Sequence, residues 1–447
     1  MINNKVSIKN ILSEKDLDLI HDNTIKILEN EGIKIENEEA LEIFANNGIK
    51  TEGNKVYISG KKLEDLIKKI PGSFELKARN SNNDIIIGND NSLLGPPLGP
   101  PFIYEDGDKR YGTYKDYEKL IKYCHKNSYI DLVGGDIIAP TDIDKKKRHK
   151  KMFYAAVKYS DKALIGTGSG KKETQDIINM AKSIFGEKEL INNNYILKLL
   201  GASSPLEYNN TALNTLMNMA KNSQPIAIYS QILAGMTGPI TLAGLLTQQN
   251  AEILLGSALI QLIKPNTPVI YGSTSSVTDM KSGNITVGNS QYAKIIAAVS
   301  QIADYYDIPS MIAGGVTDSK NTDNQAGFET MLNMYTSIES GIDIIIYAVG
   351  GIKDYLGISY DKLSKDNAII KSLINMHNKI EVNENTIARK VIEEIGSGKN
   401  FMTHSHTMER LEQRIGEKNT FNKDILNNYT KPKLDNNVDK ELNNYLN

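Results

Sequence analysis

The stretch PIAIYSQILAGMTGPITLAGLLTQQNAEILLGSALIQLIKPNTPVIYGST, Pro225 to Thr274, holds two short apolar runs, PIAIYSQ (225–231) and PVIYGST (268–274), with a long helical segment between them. Thr237-Gly238-Pro239 opens that helix, with proline near its first turn, and Lys264-Pro265 closes it. The two runs are apolar almost throughout instead of alternating, so each reads as a strand buried on both faces, and strand–helix–strand connectivity makes the pair parallel. Six further runs continue the pattern: IDLVGG (130–135), ALIGTGS (163–169), ILKLLGAS (196–203), PSMIAGG (309–315), IDIIIYAVG (342–350) and the weaker NFMTHSH (400–406). Eight such units predict an α/β fold of the closed (β/α)8 TIM-barrel type. An open doubly wound sheet would want a phosphate-binding G-x-G-x-x-G after an early strand, and GTGSG (Gly166 to Gly170) lacks that spacing.

Ahead of the repeats, residues 1–128 read as a helical and β-rich N-terminal extension, and 129–447 as the barrel with a C-terminal helical tail. SEKDLDLIHDNTIKILENEGI and NEEALEIFANNGI carry helix starts and helical apolar spacing, and short alternating strands follow from Phe74 to Ile87. GPPLGPPF (Gly95 to Phe102) cannot be regular structure, because four prolines remove donors and fix backbone angles; it is expected to lap over the barrel mouth. Hydrophobic residues at 40%, charged residues at 24% and a net charge of −2 fit a soluble globular protein, not a disordered chain or a polybasic nucleic-acid binder. The basic run KKKRHKK (Lys145 to Lys151) reads as a solvated helix face. One cysteine, Cys124, excludes an internal disulfide, and no export or membrane-spanning signal stands out, so a cytoplasmic location is expected.

Ligands of a barrel meet the carboxyl ends of its strands. Those ends gather a small, neutral, hydroxyl-rich set: Gly135 and Asp136; Gly168 and Ser169; Ser203, Ser204 and Pro205; Gln231; Ser273, Thr274 and Ser275; Gly314 through Ser319; Tyr347 and Gly350; His404 and His406. Such a mouth suits a flat ligand or a second protein more than hydrolysis. Structural readings stand beside this one. Thr317, Asp318 and Ser319 would cap the following helix, which opens on Thr322-Asp323-Asn324-Gln325, carries Phe328, Met331, Leu332, Tyr335 and Ile338 on one face and stops at Gly341. Tyr271 and Tyr347 would be core aromatics. His404 and His406, two apart in a strand, would share a face and suit zinc, but the four other histidines fall in helical or linker segments, short of a ligand set.

The segments GPPF, AGMTGPITLAGLLTQQNAEIL, PVIYGSTSSVTDMKSG, GGVTDSKNTDNQAGFE and EEIGSGKNFMTHSHT, in this order between about Pro96 and Asn422, resemble the trimethylamine methyltransferase (MttB-like) family. The resemblance implies a (β/α)8 barrel that moves a methyl group from an amine to cob(I)alamin held on a separate corrinoid protein, in one-carbon metabolism of the methanogenic kind. Members using trimethylamine carry pyrrolysine near strands five and six. None is written here, which favours the branch acting on quaternary amines such as betaines and carnitine. An arginine is also expected where Met311 stands; without it one carboxylate clamp is missing, which speaks against glycine betaine. With no tryptophan in the chain, Phe102, Tyr104, Tyr271 and Tyr347 would hold the cation. His406 and its neighbour His404, with Gln231 or Thr317, would orient the polar end of the substrate. Gly314 and Gly315, with Gly168, Ser169 and Ser273, would admit the corrin edge, and Thr317 and Asp318 would meet its amide rim. No nucleophile, base or bound metal is called for, and without a D-x-H-x-x-G signature the cobalamin must come on a partner. Barrels of this class are commonly homo-oligomers. Two rival readings are a zinc-dependent barrel hydrolase built on His404 and His406, and a non-enzymatic quaternary-amine sensor.

Overall fold

The structure, a computed structural model, describes residues 7–88, 90–105, 108–411 and 426–446. At its centre are eight parallel strands, β1 (Leu93–Leu94), β2 (Leu132–Gly134), β3 (Ala163–Ile165), β4 (Ile196–Gly201), β5 (Ile226–Ser230), β6 (Val269–Ser273), β7 (Ser310–Ala313) and β8 (Ile344–Ile346). Each is followed by an outer helix: α1 (Tyr114–Lys126), α2 (Lys145–Tyr159), α3 (Lys171–Phe185), α4 (Asn210–Lys221), α5 (Leu242–Ile263), α6 (Ser290–Tyr305), α7 (Asn324–Ser340) and α8 (Tyr360–His377). Strand pairing runs from β2 in order to β8 and then to β1. The last gap closes where the Asp131 amide donates to the Leu94 carbonyl at 2.9 Å and the Leu94 amide donates to Asp131 Oδ2 at 2.8 Å. The sheet is therefore a barrel without free edges.

Seven strands fall where the apolar runs place them. The eighth does not. NFMTHSH is a pair of turns leading into the short helix Ser405–Met408, with Phe401 and Met402 exposed. The missing strand is β1, which pairs Leu93 with Ile344 and Leu94 with Ile345, so the barrel starts well ahead of residue 129. A two-residue strand has no period to detect, whereas the histidine segment has strand-like composition but no face to bury.

The region before β1 packs against the outside of α5. Helices Glu14–Asn30, Glu38–Asn46 and Gly60–Ile67 all lie on it, and strand Ile33–Ile35 pairs in parallel with Glu207–Tyr208 from the loop after β4. The sequence of α5 explains why: it is apolar around most of its circumference, and Gln248 through Gln261 are all buried. Strands cover one side and the extension covers the other. No described helix is long and apolar enough to cross a membrane.

On α7 the expected apolar face is split: Met331 and Ile338 are half-buried and pack against the core, but its aromatic members turn outward. Phe328 is 67% exposed and Tyr335 is also exposed, while Glu329, Thr330, Asn333 and Ser337 are buried against the barrel. Polar side chains win the inner face because they serve the loops at the mouth: Asn333 Nδ2 donates to the carbonyls of Val287 and Val316 at 2.8 and 3.2 Å. The helix does end on Gly341, in the left-handed region at φ 84°.

Candidate functional site

A cavity of about 700 Å³ opens at the carboxyl ends of the strands. It is lined by Leu98, Gly99 and Pro101 of the proline loop, by Tyr229 near the end of β5 and Gln231 just after it, and by Tyr347 and Tyr355 after β8. Glu36 of the N-terminal region reaches its rim. The proline loop is tied in place by backbone bonds. The Gly99 amide donates to the Asp136 carbonyl at 2.6 Å, and the Tyr347 and Ala348 amides donate to the carbonyls of Pro96 and Gly95 at 3.0 and 3.1 Å. Tyr347 takes the left-handed region at φ 54° and its hydroxyl bonds to the Leu98 carbonyl. Its ring meets that of Tyr355 edge-on, with centroids 5.3 Å apart. Burial pushes both phenols above their ordinary range and Tyr229 up to about 12, so all three are neutral rings at physiological pH.

Besides Glu36 at the rim, two charged groups line the same space, Asp136 after β2 and Lys198 within β4. Lys198 is only 3% exposed, and its ammonium donates to the Gly166 carbonyl at 3.2 Å. Burial lowers its pKa, and the field of Asp136 works in the opposite direction. No histidine or cysteine is among the lining residues.

Of the residues singled out from sequence, Asp136, Ser169, Gln231, Thr274 and Tyr347 line this cavity. Phe102 and Tyr104 lie beside the mouth in a four-stranded sheet formed by Gly351–Ile352, Gly357–Ser359, Phe102–Glu105 and Asp108–Tyr111. Tyr271 and Ser273 point the other way, into the layer beneath α5. The Ser273 hydroxyl donates to Gln249 Oε1 at 2.7 Å and the Tyr271 hydroxyl lies 3.5 Å from Gln249 Nε2. Gly272 between them faces the barrel axis, where a Cβ would stand 2.9 Å from Met311 Cε. A Cβ on Gly168 would stand 2.6 Å from that of His149. His404 caps the helix Ser405–Met408, accepting from the His406 amide at 3.1 Å, and neither ring reaches the cavity. The zinc-hydrolase reading thus loses the strand on which it rested, and among the described residues no group of three or more metal-ligating side chains converges.

The loop after β7 answers to its own neighbours. A Cβ on Gly314 would press on Ile345 and stand 3.1 Å from Met334 Sδ, and one on Gly315 would meet the Tyr347 and Ala348 carbonyls. The Thr317 hydroxyl donates to Glu329 Oε2 at 2.6 Å, as does the Asp318 amide at 2.8 Å. Asp318 accepts from the Val287 and Gly288 amides at 2.6 and 3.2 Å, and it is Asp323 that caps α7.

Sequence reasoning passed over the groups that organise the mouth. Glu252, fully buried on α5, accepts from the hydroxyls of Ser204 and Ser230 at 2.8 and 2.6 Å and from the Leu206 amide at 3.0 Å. Lys362 on α8 reaches both oxygens of Asp366, at 2.9 and 2.8 Å, and the Gly315 carbonyl at 3.1 Å. Asp366 in turn accepts from the Gly350 amide at 2.6 Å. The available signal was charge inside apolar runs, as in ILKLLG and NAEILL.

Comparison with known proteins agrees with this architecture. The hydroxylamine complex of MtmB superposes with a TM-score of 0.56 at 10% identity, covering 97% of this chain and 88% of that one. The Methanosarcina barkeri monomethylamine methyltransferase does so with 0.51, covering 98% and 93%. At that identity the likeness concerns the fold. In sequence, the glycine betaine methyltransferase of Desulfitobacterium hafniense (strain Y51) is 37% identical over 95% of this chain and 89% of its own length. The proline betaine:corrinoid methyltransferase of Eubacterium limosum is 28% identical over 86% and 81%. The trimethylamine methyltransferase MttB of Desulfitobacterium hafniense (strain DSM 10664 / DCB-2) is 30% identical over 88% and 80%. The family model for trimethylamine methyltransferase (MTTB) matches residues 1–417, and with these relatives in agreement the chain belongs to that family.

Proposed function

We propose that this protein transfers a methyl group from a quaternary amine to the cob(I)alamin of a separate corrinoid protein, in the cytoplasm. The observation that carries the reading is the cavity itself: neutral tyrosine rings, Asp136, Lys198 and, at the rim, Glu36 around about 700 Å³, with no histidine or cysteine among its lining residues. Ring faces and Asp136 suit an ammonium ion, and each aromatic contact contributes about 0.5–2 kcal/mol. The names of relatives that act on glycine betaine, proline betaine and trimethylamine support the same class of donor. The volume leaves room beyond a small amine for the methyl acceptor to approach.

A quaternary ammonium already carries a neutral amine leaving group, so a strong external nucleophile needs no protein acid or base. The residues contribute position. Tyr229, Tyr347 and Tyr355 hold the cation away from water, and the strapped proline loop keeps that enclosure rigid. A methyl carbon held about 3–3.5 Å from its acceptor, in line with the breaking C–N bond, converts an encounter into an effectively unimolecular step. Mixing the protein with reduced corrinoid protein and candidate amines should convert the Co(I) spectrum to that of methyl-Co(III), with one demethylated amine released per methyl transferred. Amine binding without any spectral conversion would overturn the proposal and favour a sensor.

A further inference from the structure

We infer that Lys198 is the anchor for an anionic group on the substrate, so that the cavity selects quaternary amines that also bear a carboxylate over those that do not. The inference rests on the reading of the cavity as a quaternary-amine site and specifies which amines enter it.

Three lysines are drawn into the interior, and they differ in what they touch. Lys162 donates to three carbonyls, those of Cys124, Asn127 and Ile130, at 3.0, 2.7 and 2.5 Å. Lys362 also has three partners, the two oxygens of Asp366 and the Gly315 carbonyl. An ammonium has three N–H donors, so both are saturated. Among the described residues Lys198 has one hydrogen-bond partner, the Gly166 carbonyl. Among the described residues no carboxylate stands within ion-pair distance of it, and Asp136 acts on it through its field. A buried, under-coordinated ammonium costs several kcal/mol unless an anion joins it. Its neighbours Ile196, Leu197, Leu199 and Leu200 are all buried, so an apolar side chain would suit the strand better for stability. It is also the lysine that lines the cavity.

Depth completes the argument. Lys198 is the third residue of β4, with Leu199, Leu200 and Gly201 between it and the strand end, whereas Asp136, Gln231 and Tyr355 lie beyond the ends of their strands. A zwitterion placed with its carboxylate on Lys198 would direct its trimethylammonium outward to the tyrosines and Asp136, the side from which a protein-borne acceptor must come. The reverse placement would bury the methyl groups.

The test compares a betaine such as γ-butyrobetaine with its methyl ester, which keeps size and cation but removes the anion. Binding is read by calorimetry without corrinoid protein, and methyl transfer by the cobalt spectrum. The native protein should bind the betaine about 10- to 100-fold more tightly than the ester, the range a charge-assisted bond supplies. Lys198→Met and Lys198→Gln should abolish that preference by weakening betaine while leaving ester binding within a few-fold. Equal affinity of the native protein for both compounds overturns the inference without any variant. Retention of the preference in Lys198→Gln, with the thermal midpoint unchanged, overturns it as well. Failure of every amine to methylate cobalt, with the binding preference intact, would instead count against the methyltransferase reading and leave the anion anchor standing.

Discussion

A methyl group added at Gly315 and one added at Gly327 should have opposite effects, although both glycines belong to the single stretch MIAGGVTDSKNTDNQAGFE. At Gly315 the new Cβ would stand 2.8 Å from the Ala348 carbonyl oxygen and closer still to that of Tyr347. Neither backbone is free to yield, because Tyr347 is bonded to Pro96 and Leu98 and the Gly315 carbonyl to Lys362. Gly315→Ala should therefore destabilise by about 3 kcal/mol and loosen the cavity wall at Tyr347. Gly327 sits inside α7 with nothing within 4 Å of its missing Cβ, and Gly327→Ala should stabilise by about 0.5–1 kcal/mol through helix propensity alone. Urea unfolding of the two variants decides the matter, and shifts of the same sign would show that local packing does not distinguish them. This is also where sequence reading met its limit. Two adjacent glycines reveal that a side chain is excluded, but not what excludes it; at Gly315 it is the chain's own carbonyls, those of Tyr347 and Ala348. Lys198 was equally visible in ILKLLGAS, yet a run that reads as a strand draws attention to its apolar majority.

Helix α5 was legible in its ends and opaque in its middle. Proline and glycine marked where it starts and stops, because those residues act locally; Gln248, Gln249 and Glu252 act on the ends of β4, β5 and β6, which no local pattern can show. Their bonds explain why the hydroxyl-rich strand ends are less available to ligands than composition suggests. Glu252→Ala should cost about 3 kcal/mol, since it leaves the buried Ser230 hydroxyl, the half-buried Ser204 hydroxyl and an amide without an acceptor, and Glu252→Gln should cost less; a urea midpoint for Glu252→Ala equal to the native one would show those hydroxyls to be solvated. The loops after β6, β7 and β8 meet at a second junction, where Asp318 accepts from Val287 and Gly288 and feels the neighbouring carboxyl of Asp354. Burial, reinforced by Asp354, pushes the Asp318 carboxyl up to about 6. An acid with a higher pKa folded than unfolded holds its proton more tightly when folded. Its stabilisation is therefore complete below about 4 and fades as pH rises through about 6. Asp354→Asn replaces the neighbouring carboxyl with a neutral amide, so the variant's stability relative to the native protein, read by urea unfolding, should rise between pH 5 and pH 7.5 by about 1 kcal/mol. A constant difference across that interval would show that Asp354 does not hold the Asp318 proton in place.

At the scale of the whole chain, the repeating apolar runs made the barrel legible because a strand buried on both faces cannot hide its composition, and seven strands were found this way. The eighth was lost because Leu93–Leu94 is held by its neighbours on either side and has no pattern of its own. The same dependence on neighbours extends to the N-terminal region, whose helices Glu14–Asn30, Glu38–Asn46 and Gly60–Ile67 cover the outer side of α5. Ala251, Ile253, Leu254, Leu255, Ala258, Leu259 and Ile260 on that helix are at most 1% exposed, and strands can shield only one side of it. A chain beginning at residue 68 would expose the other side as a continuous apolar surface, well beyond what a soluble monomer tolerates. It would also lose the Ile33–Ile35 strand that holds the loop after β4, and Glu36 at the cavity rim. Such a shortened chain should bind a hydrophobic dye, lose the sharp cooperative unfolding transition of the intact protein and fail to bind amine. If it instead unfolded cooperatively near the native midpoint with amine binding intact, the barrel would be an autonomous unit and the extension an accessory to it.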